Sequence, residues 1–96
     1  SEDHQNAIYL AQELEKNSLF QVRNNLIDTN IVYADIQPDI ADAMHLHISS
    51  NQLKVNFPEP VIINDKIWFR FRFVMHLDIN KEDIEKLTAS INSFEC

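Results

Sequence analysis

Two arginines in the strand-like stretch 66–74 are the residues of this chain best suited to chemistry. Arg70 and Arg72 alternate with large aromatic residues, so an extended backbone places both guanidinium groups on one face and the rings on the other. A guanidinium group is planar, always charged, and can bind a carboxylate through two parallel hydrogen bonds. The pair therefore predicts a carboxylate-binding site on an open sheet face. Composition alone favours a plainer interpretation, in which both arginines pair with nearby acids such as Asp35.

The histidines do not have the spacing of a metal site. His45 and His47 are two positions apart on a predicted helix, where side chains point about 200° apart, so they cannot share an ion. His76 follows Arg72 by four residues and can face the same side of an extended chain. We expect it to orient the link between strand and helix, with acid–base work or substrate contact as the alternative. No metal site and no catalytic residue is predicted within this chain.

Composition bounds the class of protein. Ninety-six residues predict one small domain over 1–96 with a single core. A net charge of −7 disfavours nucleic acid and anionic membranes as partners, and no apolar run is long enough to span a bilayer. One cysteine, Cys96, cannot form an internal disulfide, so a cytoplasmic location is expected. The complete absence of glycine excludes glycine-rich phosphate loops and nucleophile elbows.

The elements that position the arginines follow from hydrophobic periodicity and capping residues. The predicted elements, in chain order, are a helix over 1–16, a short extended piece at 19–22, a strand over 29–36, a helix from 39 to about 50, a strand over 53–57, a hairpin of 61–63 with 66–73, and a helix capped by Asn80. This pattern indicates an α+β domain of order α-β-α-β-β-α. We expect an antiparallel or mixed sheet of three to four strands, with the helices on one face.

The start of the chain suggests a piece of a longer polypeptide. The sequence begins with Ser1 rather than Met and enters a helical pattern almost at once. We therefore expect a fragment of a longer protein. If that protein is an enzyme, its phosphate-binding half lies in the remainder.

Three motifs resemble a known family when they are taken together and in order. They are SEDHQNA followed by LAQEL over residues 1–14, TNIVY over 29–33, and RFVMHLDI over 72–79 with EDI at 82–84. This set resembles the C-terminal small domain of L-threonine aldolases, which are pyridoxal phosphate enzymes of the aspartate aminotransferase fold (fold type I). The resemblance extends over nearly the whole chain. It departs from the family pattern at Met75, where the family usually has threonine, a change that removes a hydroxyl near the arginine, and in the segment 51–66.

The resemblance implies a lyase that cleaves β-hydroxy-α-amino acids such as threonine to glycine and an aldehyde. In that family the arginine that opens the third motif binds the substrate carboxylate, and the matching residue here is Arg72. The resemblance also implies a homo-oligomer and a large domain of the same polypeptide that binds pyridoxal phosphate. That domain would supply the Schiff-base lysine, because no lysine here lies in a matching segment. The isolated chain is therefore expected to be inactive.

Two other interpretations remain open at the level of sequence. One is a non-enzymatic acidic α+β module that binds a small ligand or a protein through Arg70 and Arg72. The other keeps the pyridoxal phosphate fold but assigns a different reaction, such as β-elimination, because one fold supports several chemistries. An autonomous module should melt cooperatively by itself, whereas product analysis of the full-length protein separates the two enzymes.

Overall fold

The computed structural model describes residues 2–23, 30–50, 55–75 and 79–94. Its elements, in chain order, are helix α1 (Glu2–Glu15), strands β1 (Gln21–Val22) and β2 (Ile31–Ile36), helix α2 (Pro38–Ser50), strands β3 (Glu59–Ile63) and β4 (Lys66–Val74), and helix α3 (Lys81–Asn92). The strands form one antiparallel sheet in the order β1-β2-β4-β3. The predicted α+β class is confirmed.

The apolar residues of all three helices meet one face of the sheet. Leu10 and Leu14 of α1, Met44 of α2 and Ile84 of α3 have almost no exposed surface, as their three- and four-residue spacings require. Phe71 lies fully buried beneath them, in contact with the ring of Phe20 at 5.7 Å. Buried apolar residues of helices and sheet form a single core cluster.

Alternation along the two central strands separates the core from the opposite face. β2 pairs with β4 so that Ala34 lies opposite Phe71, with both side chains in the core. The next residues along each strand point the other way, which puts Asp35 opposite Arg70 and Tyr33 opposite Arg72. We call this second side of the sheet the polar face. It carries both arginines that the sequence singled out.

Local turn chemistry sets where β4 and α3 begin. Asn64 and Asp65 have positive φ angles of 52° and 63°, the backbone of a two-residue hairpin turn that asparagine and aspartate tolerate. Asn80 caps α3 in a reciprocal arrangement, in which its Oδ1 accepts from the Asp83 N–H at 2.9 Å and its own N–H donates to Asp83 Oδ2 at 3.0 Å. The predicted hairpin and cap are both confirmed.

The structure differs from the predicted elements in two places. The short extended piece forms strand β1, which pairs with the end of β2, so the order is α-β-β-α-β-β-α. The predicted strand over 53–57 is wrong for residues 55–57, which lie outside any strand, while 53 and 54 lie outside the described residues. The reason is tertiary: Val55 O accepts a hydrogen bond from His45 Nε2, and the Phe57 ring packs on the same imidazole, so the segment is held against α2.

Candidate functional site

A buried carboxylate between two arginines organises the polar face. Asp35 has no exposed surface, although it points away from the core. Its Oδ1 accepts from Arg70 Nε at 2.8 Å, and its Oδ2 accepts from Arg70 Nη2 at 3.1 Å and from Arg23 Nε at 2.7 Å. This geometry satisfies a carboxylate that would otherwise be costly to bury. The hydrogen bond to Asp35 is also the main cause that raises the pKa of Arg70 above its ordinary value.

Arg23 is fixed from three sides. Its backbone N–H donates to Tyr33 O at 3.0 Å, which extends the pairing of β1 with β2 by one residue. Its guanidinium carbon lies 5.4 Å from the centre of the Trp68 ring, and Lys66 Nζ lies 4.6 Å from the same ring. These cation–π contacts, together with the ion pair to Asp35, order a polar and aromatic cluster over this end of the sheet.

Arg72 differs from Arg70 in being free. Its side chain is exposed, and within the described part of the chain it has no ion-pair or hydrogen-bond partner. It lies opposite Tyr33 in the sheet register. A free guanidinium group on a strand can present its full planar fork to an anion from solution.

Arg72 opens into a cavity of about 170 Å³ on the polar face. The residues that line this cavity are Tyr33, Asn56, Phe57, Glu59, Val61, Arg70 and Arg72. One ordered water needs roughly 10–15 Å³ of such space, so the volume suits a small organic acid. The lining combines aromatic and aliphatic surface with a few charged groups, the composition typical of small-molecule sites.

One wall of the cavity comes from the segment between α2 and β3. Asn56 and Phe57 lie there, and His45 holds the segment through a hydrogen bond of 3.2 Å to Val55 O and through ring contact with Phe57 at 4.7 Å between centroids. Because a carbonyl oxygen only accepts, His45 Nε2 is the donor in this bond. His45 therefore shapes the cavity from outside it.

The structure separates the residues that the sequence grouped together. Arg70 is engaged by Asp35, as the plainer interpretation expected, whereas Arg72 faces the cavity. His76 lies outside the described residues. His47 points toward the end of α3, where its Nε2 lies 2.9 Å from Ser90 O and its ring contacts Phe94.

The threonine-to-methionine departure in the third motif does not touch the arginine. Met75 is buried in the core cluster with Phe71 and Phe73, on the opposite side of the sheet from Arg72. Its backbone is also fixed, because its N–H donates to Asn30 O at 2.7 Å. The expectation that methionine removes a hydroxyl near Arg72 is therefore wrong, since strand alternation sends that side chain into the core.

Several contributors to this face were not recognised in the sequence. Arg23 is remote from β4 along the chain, and nothing in its neighbourhood signals an ion pair with Asp35. Glu59 and Phe57 flank prolines, and they reach the cavity only because the hairpin and the 55–58 segment fold beside β4. The one available signal was the alternation of β2, which places Tyr33 and Asp35 on the face opposite its core residues.

The described residues do not form a site for a metal or for pyridoxal phosphate. No group of three or more histidine, cysteine, aspartate or glutamate side chains in the described ranges could hold a metal ion. The lysines that the structure describes lie at the surface, where Lys16 pairs with Glu13, Lys66 stacks on Trp68 and Lys81 lies over Tyr9. None of the described lysines is a buried amine suited to a Schiff base.

Comparison with known proteins provides no functional assignment for this chain. No protein-family model and no curated protein matches this chain. Among the described residues, no helix is both long and apolar enough to cross a membrane.

Proposed function

We propose that this chain is the carboxylate-binding C-terminal small domain of a pyridoxal phosphate-dependent lyase similar to L-threonine aldolases. The proposed reaction cleaves a β-hydroxy-α-amino acid such as threonine to glycine and an aldehyde. The three motifs support the family, and Arg72, which opens the third motif, would bind the α-carboxylate of the substrate.

The free state of Arg72 is the observation that carries this proposal. Of the two guanidinium groups on β4, only Arg72 is exposed and without a partner among the described residues. It opens into a cavity with room for a small acid, beside the Tyr33 ring. An arginine with a purely structural role would be expected to form an ion pair, as Arg70 does. An arginine that binds a ligand must instead be free to contact it.

The cofactor belongs to another part of the proposed enzyme. When bound, pyridoxal phosphate supplies an electron sink for bond cleavage next to the α-carbon. The described residues of this chain do not fit it, since their lysines are superficial and the sequence has no glycine for a phosphate loop. The proposal therefore includes a large domain of the same polypeptide that holds the cofactor. The resemblance to L-threonine aldolases adds a homo-oligomeric assembly to the proposal, and the single cysteine adds a cytoplasmic location.

The first experiment is the intact mass and absorbance spectrum of the native gene product. A polypeptide several-fold heavier than this chain, with a borohydride-reducible chromophore, is expected. A native product of this size without a chromophore would refute the aldolase proposal. Analysis of the products from threonine then separates aldol cleavage from β-elimination.

The second experiment tests Arg72 in the native enzyme. Arg72→Gln should lower kcat/KM for threonine by about 10- to 100-fold, since a charge-assisted hydrogen bond contributes about 1.5–3 kcal/mol. Arg72→Lys should recover only part of this loss, because an ammonium group has no planar fork. Lys66→Gln is the matched control: it removes a cation on the same face that stacks on Trp68 away from the cavity, and it should change kcat/KM less than twofold. Equal losses in Arg72→Gln and Lys66→Gln would contradict the proposed role.

A second candidate function is a non-enzymatic module that binds a small acid. It is favoured by a specific observation, namely that buried residues from three helices and the sheet of this chain pack into a common core. Cooperative, reversible melting of the 96-residue chain, together with a native product of the same size, would support this module. A broad or irreversible transition would favour a domain that needs its larger neighbour.

A further inference from the structure

We propose that Asp35 is a positioning residue that sets the ligand specificity of the cavity, because it withholds Arg70 and leaves Arg72, of the two arginines that line the cavity, available to a ligand. The site is thereby built for one carboxylate and discriminates against a dicarboxylate. This inference rests on the proposed function in so far as Arg72 binds a carboxylate.

The Asp35 carboxylate occupies the binding edge of Arg70. Nε and Nη2 form the side-on fork of the guanidinium group, and both donate to Asp35, at 2.8 and 3.1 Å. The Arg70 guanidinium carbon also lies 5.8 Å from the centre of the Tyr33 ring, and only 20% of the side chain is exposed. Arg70 therefore lines the cavity with its preferred hydrogen-bonding edge already used.

The contacts of Arg23 make it unfavourable for Arg70 to leave Asp35 and bind a ligand. If Arg70 turned toward a ligand, Asp35 would keep only the bond from Arg23 Nε and would lose two of its three acceptor contacts while fully buried. Losing hydrogen bonds to a buried charge is costly. Arg23 already donates to Oδ2 at 2.7 Å, and its backbone contact with Tyr33 and its ring contact with Trp68 favour this position over one that would also serve Oδ1.

Glu59 adds a second element of discrimination. It lies opposite Arg70 in the register of β3 with β4 and lines the same cavity, and its side chain is exposed. Within the described ranges it forms no ion pair with Arg70. The far end of a ligand bound to Arg72 would therefore lie near Arg70, whose charge is already paired with Asp35, and near the unpaired carboxylate of Glu59. A second negative charge there is disfavoured.

The test compares acetate with succinate on the full 96-residue chain. Binding is followed by NMR of the amides and of the arginine Nε–H groups, with ionic strength matched by chloride. In the unaltered protein, both acids should shift the Arg72 Nε–H signal, assigned with Arg72→Lys. Both should leave the Arg70 signal in place, and succinate should bind no more than about twofold more tightly, as its two equivalent ends allow. A shift of the Arg70 signal comparable with that of Arg72 would overturn the inference.

Asp35→Asn tests the specificity directly. The substitution keeps the size of the side chain but replaces the shared anion, so the Arg70 Nε–H signal should move and the ratio of succinate to acetate affinity should rise about tenfold, the effect of one charge-assisted contact. Glu59→Gln is the matched control for the Arg70 signal: it removes the other acid of the cavity, so it should also raise the affinity ratio, but the Arg70 signal should not move. A folded Asp35→Asn protein with a displaced Arg70 signal and an unchanged affinity ratio would refute the inference.

The outcomes separate this inference from the proposed function. If neither acid shifts the Arg72 signal, the proposed carboxylate site fails and the inference fails with it. If Arg72 responds but Arg70 responds equally, only the inference fails. Should Asp35→Asn not fold, the titration of the unaltered protein still decides, because it requires no substitution at the buried position.

Discussion

Replacement of Asp35 by alanine should destabilise this domain far more than any other loss of an acid on the same face. The carboxylate is fully buried and accepts three hydrogen bonds from two arginines. Removing one partner of a buried ion pair costs about 3–5 kcal/mol. The Arg23 and Arg70 side chains retain 22% and 20% of their exposure, so both can regain some water once released. We therefore expect a cost at the lower end, about 3 kcal/mol.

Chemical and thermal unfolding measure this cost. A domain of 96 residues has an unfolding entropy of about 0.2 kcal/mol/K at its midpoint, so a loss of about 3 kcal/mol lowers Tm by about 15 °C. The coupling between Asp35→Ala and Arg70→Met, measured in a double-mutant cycle, should be at least about 1 kcal/mol. Glu59→Ala provides the control, since this exposed acid forms no ion pair among the described residues and its loss should cost less than about 0.5 kcal/mol.

Equal losses of stability in the Asp35→Ala and Glu59→Ala variants would refute this reasoning. If Asp35→Ala and Glu59→Ala lowered the free energy of unfolding by the same small amount, the cluster would be a solvated surface network. In that case Arg70 would not be held. A ligand could then recruit Arg70 as readily as Arg72, and Asp35 would not set the specificity of the cavity.

Three further predictions concern the scaffold that carries the polar face. Phe71→Ala should lower stability by about 3–5 kcal/mol, because this ring is fully buried against Phe20; denaturant unfolding measures the loss, and a cost below about 1 kcal/mol would contradict the packing. Asn80→Ala should cost about 1 kcal/mol and increase hydrogen exchange in the first turn of α3, since the reciprocal cap is lost; unchanged exchange would refute it. Asp65→Val should cost about 1–2 kcal/mol because φ is 63° there, whereas Asp65→Gly should not destabilise; similar losses in thermal melts would argue against the turn.

Much of the scaffold was predictable because its signals are local. Helical periodicity, the Asn80 cap, the Asn64–Asp65 turn and the alternation of β4 each depend on residues a few positions apart, and the structure has all four. The strand predicted over 53–57 is absent at residues 55–57 because a tertiary contact outweighed the local signal. Alternation there favours a strand. The His45 side chain of α2, however, donates the hydrogen bond to Val55 O that the backbone of a neighbouring strand would otherwise have donated.

The candidate site was predictable only in part. Strand alternation by itself determined that Arg70 and Arg72 share a face opposite the core, because the two-residue period of an extended chain needs no tertiary information. Whether each arginine forms an ion pair or stays unpaired depended on which residue lies opposite it across the sheet. That register pairs residues 35 positions apart, and it is set by the packing of three helices on the other face.

The sequence therefore determined the type of domain, its local turns and caps, and the face on which its charges lie. Only the tertiary structure decided that Asp35 would be buried between Arg70 and the distant Arg23, and that Arg72 would remain exposed beside the cavity. The physical reason is the range of the interactions. Propensity and periodicity act over one or two turns of chain, whereas burial of a charge is settled by every element that excludes water around it.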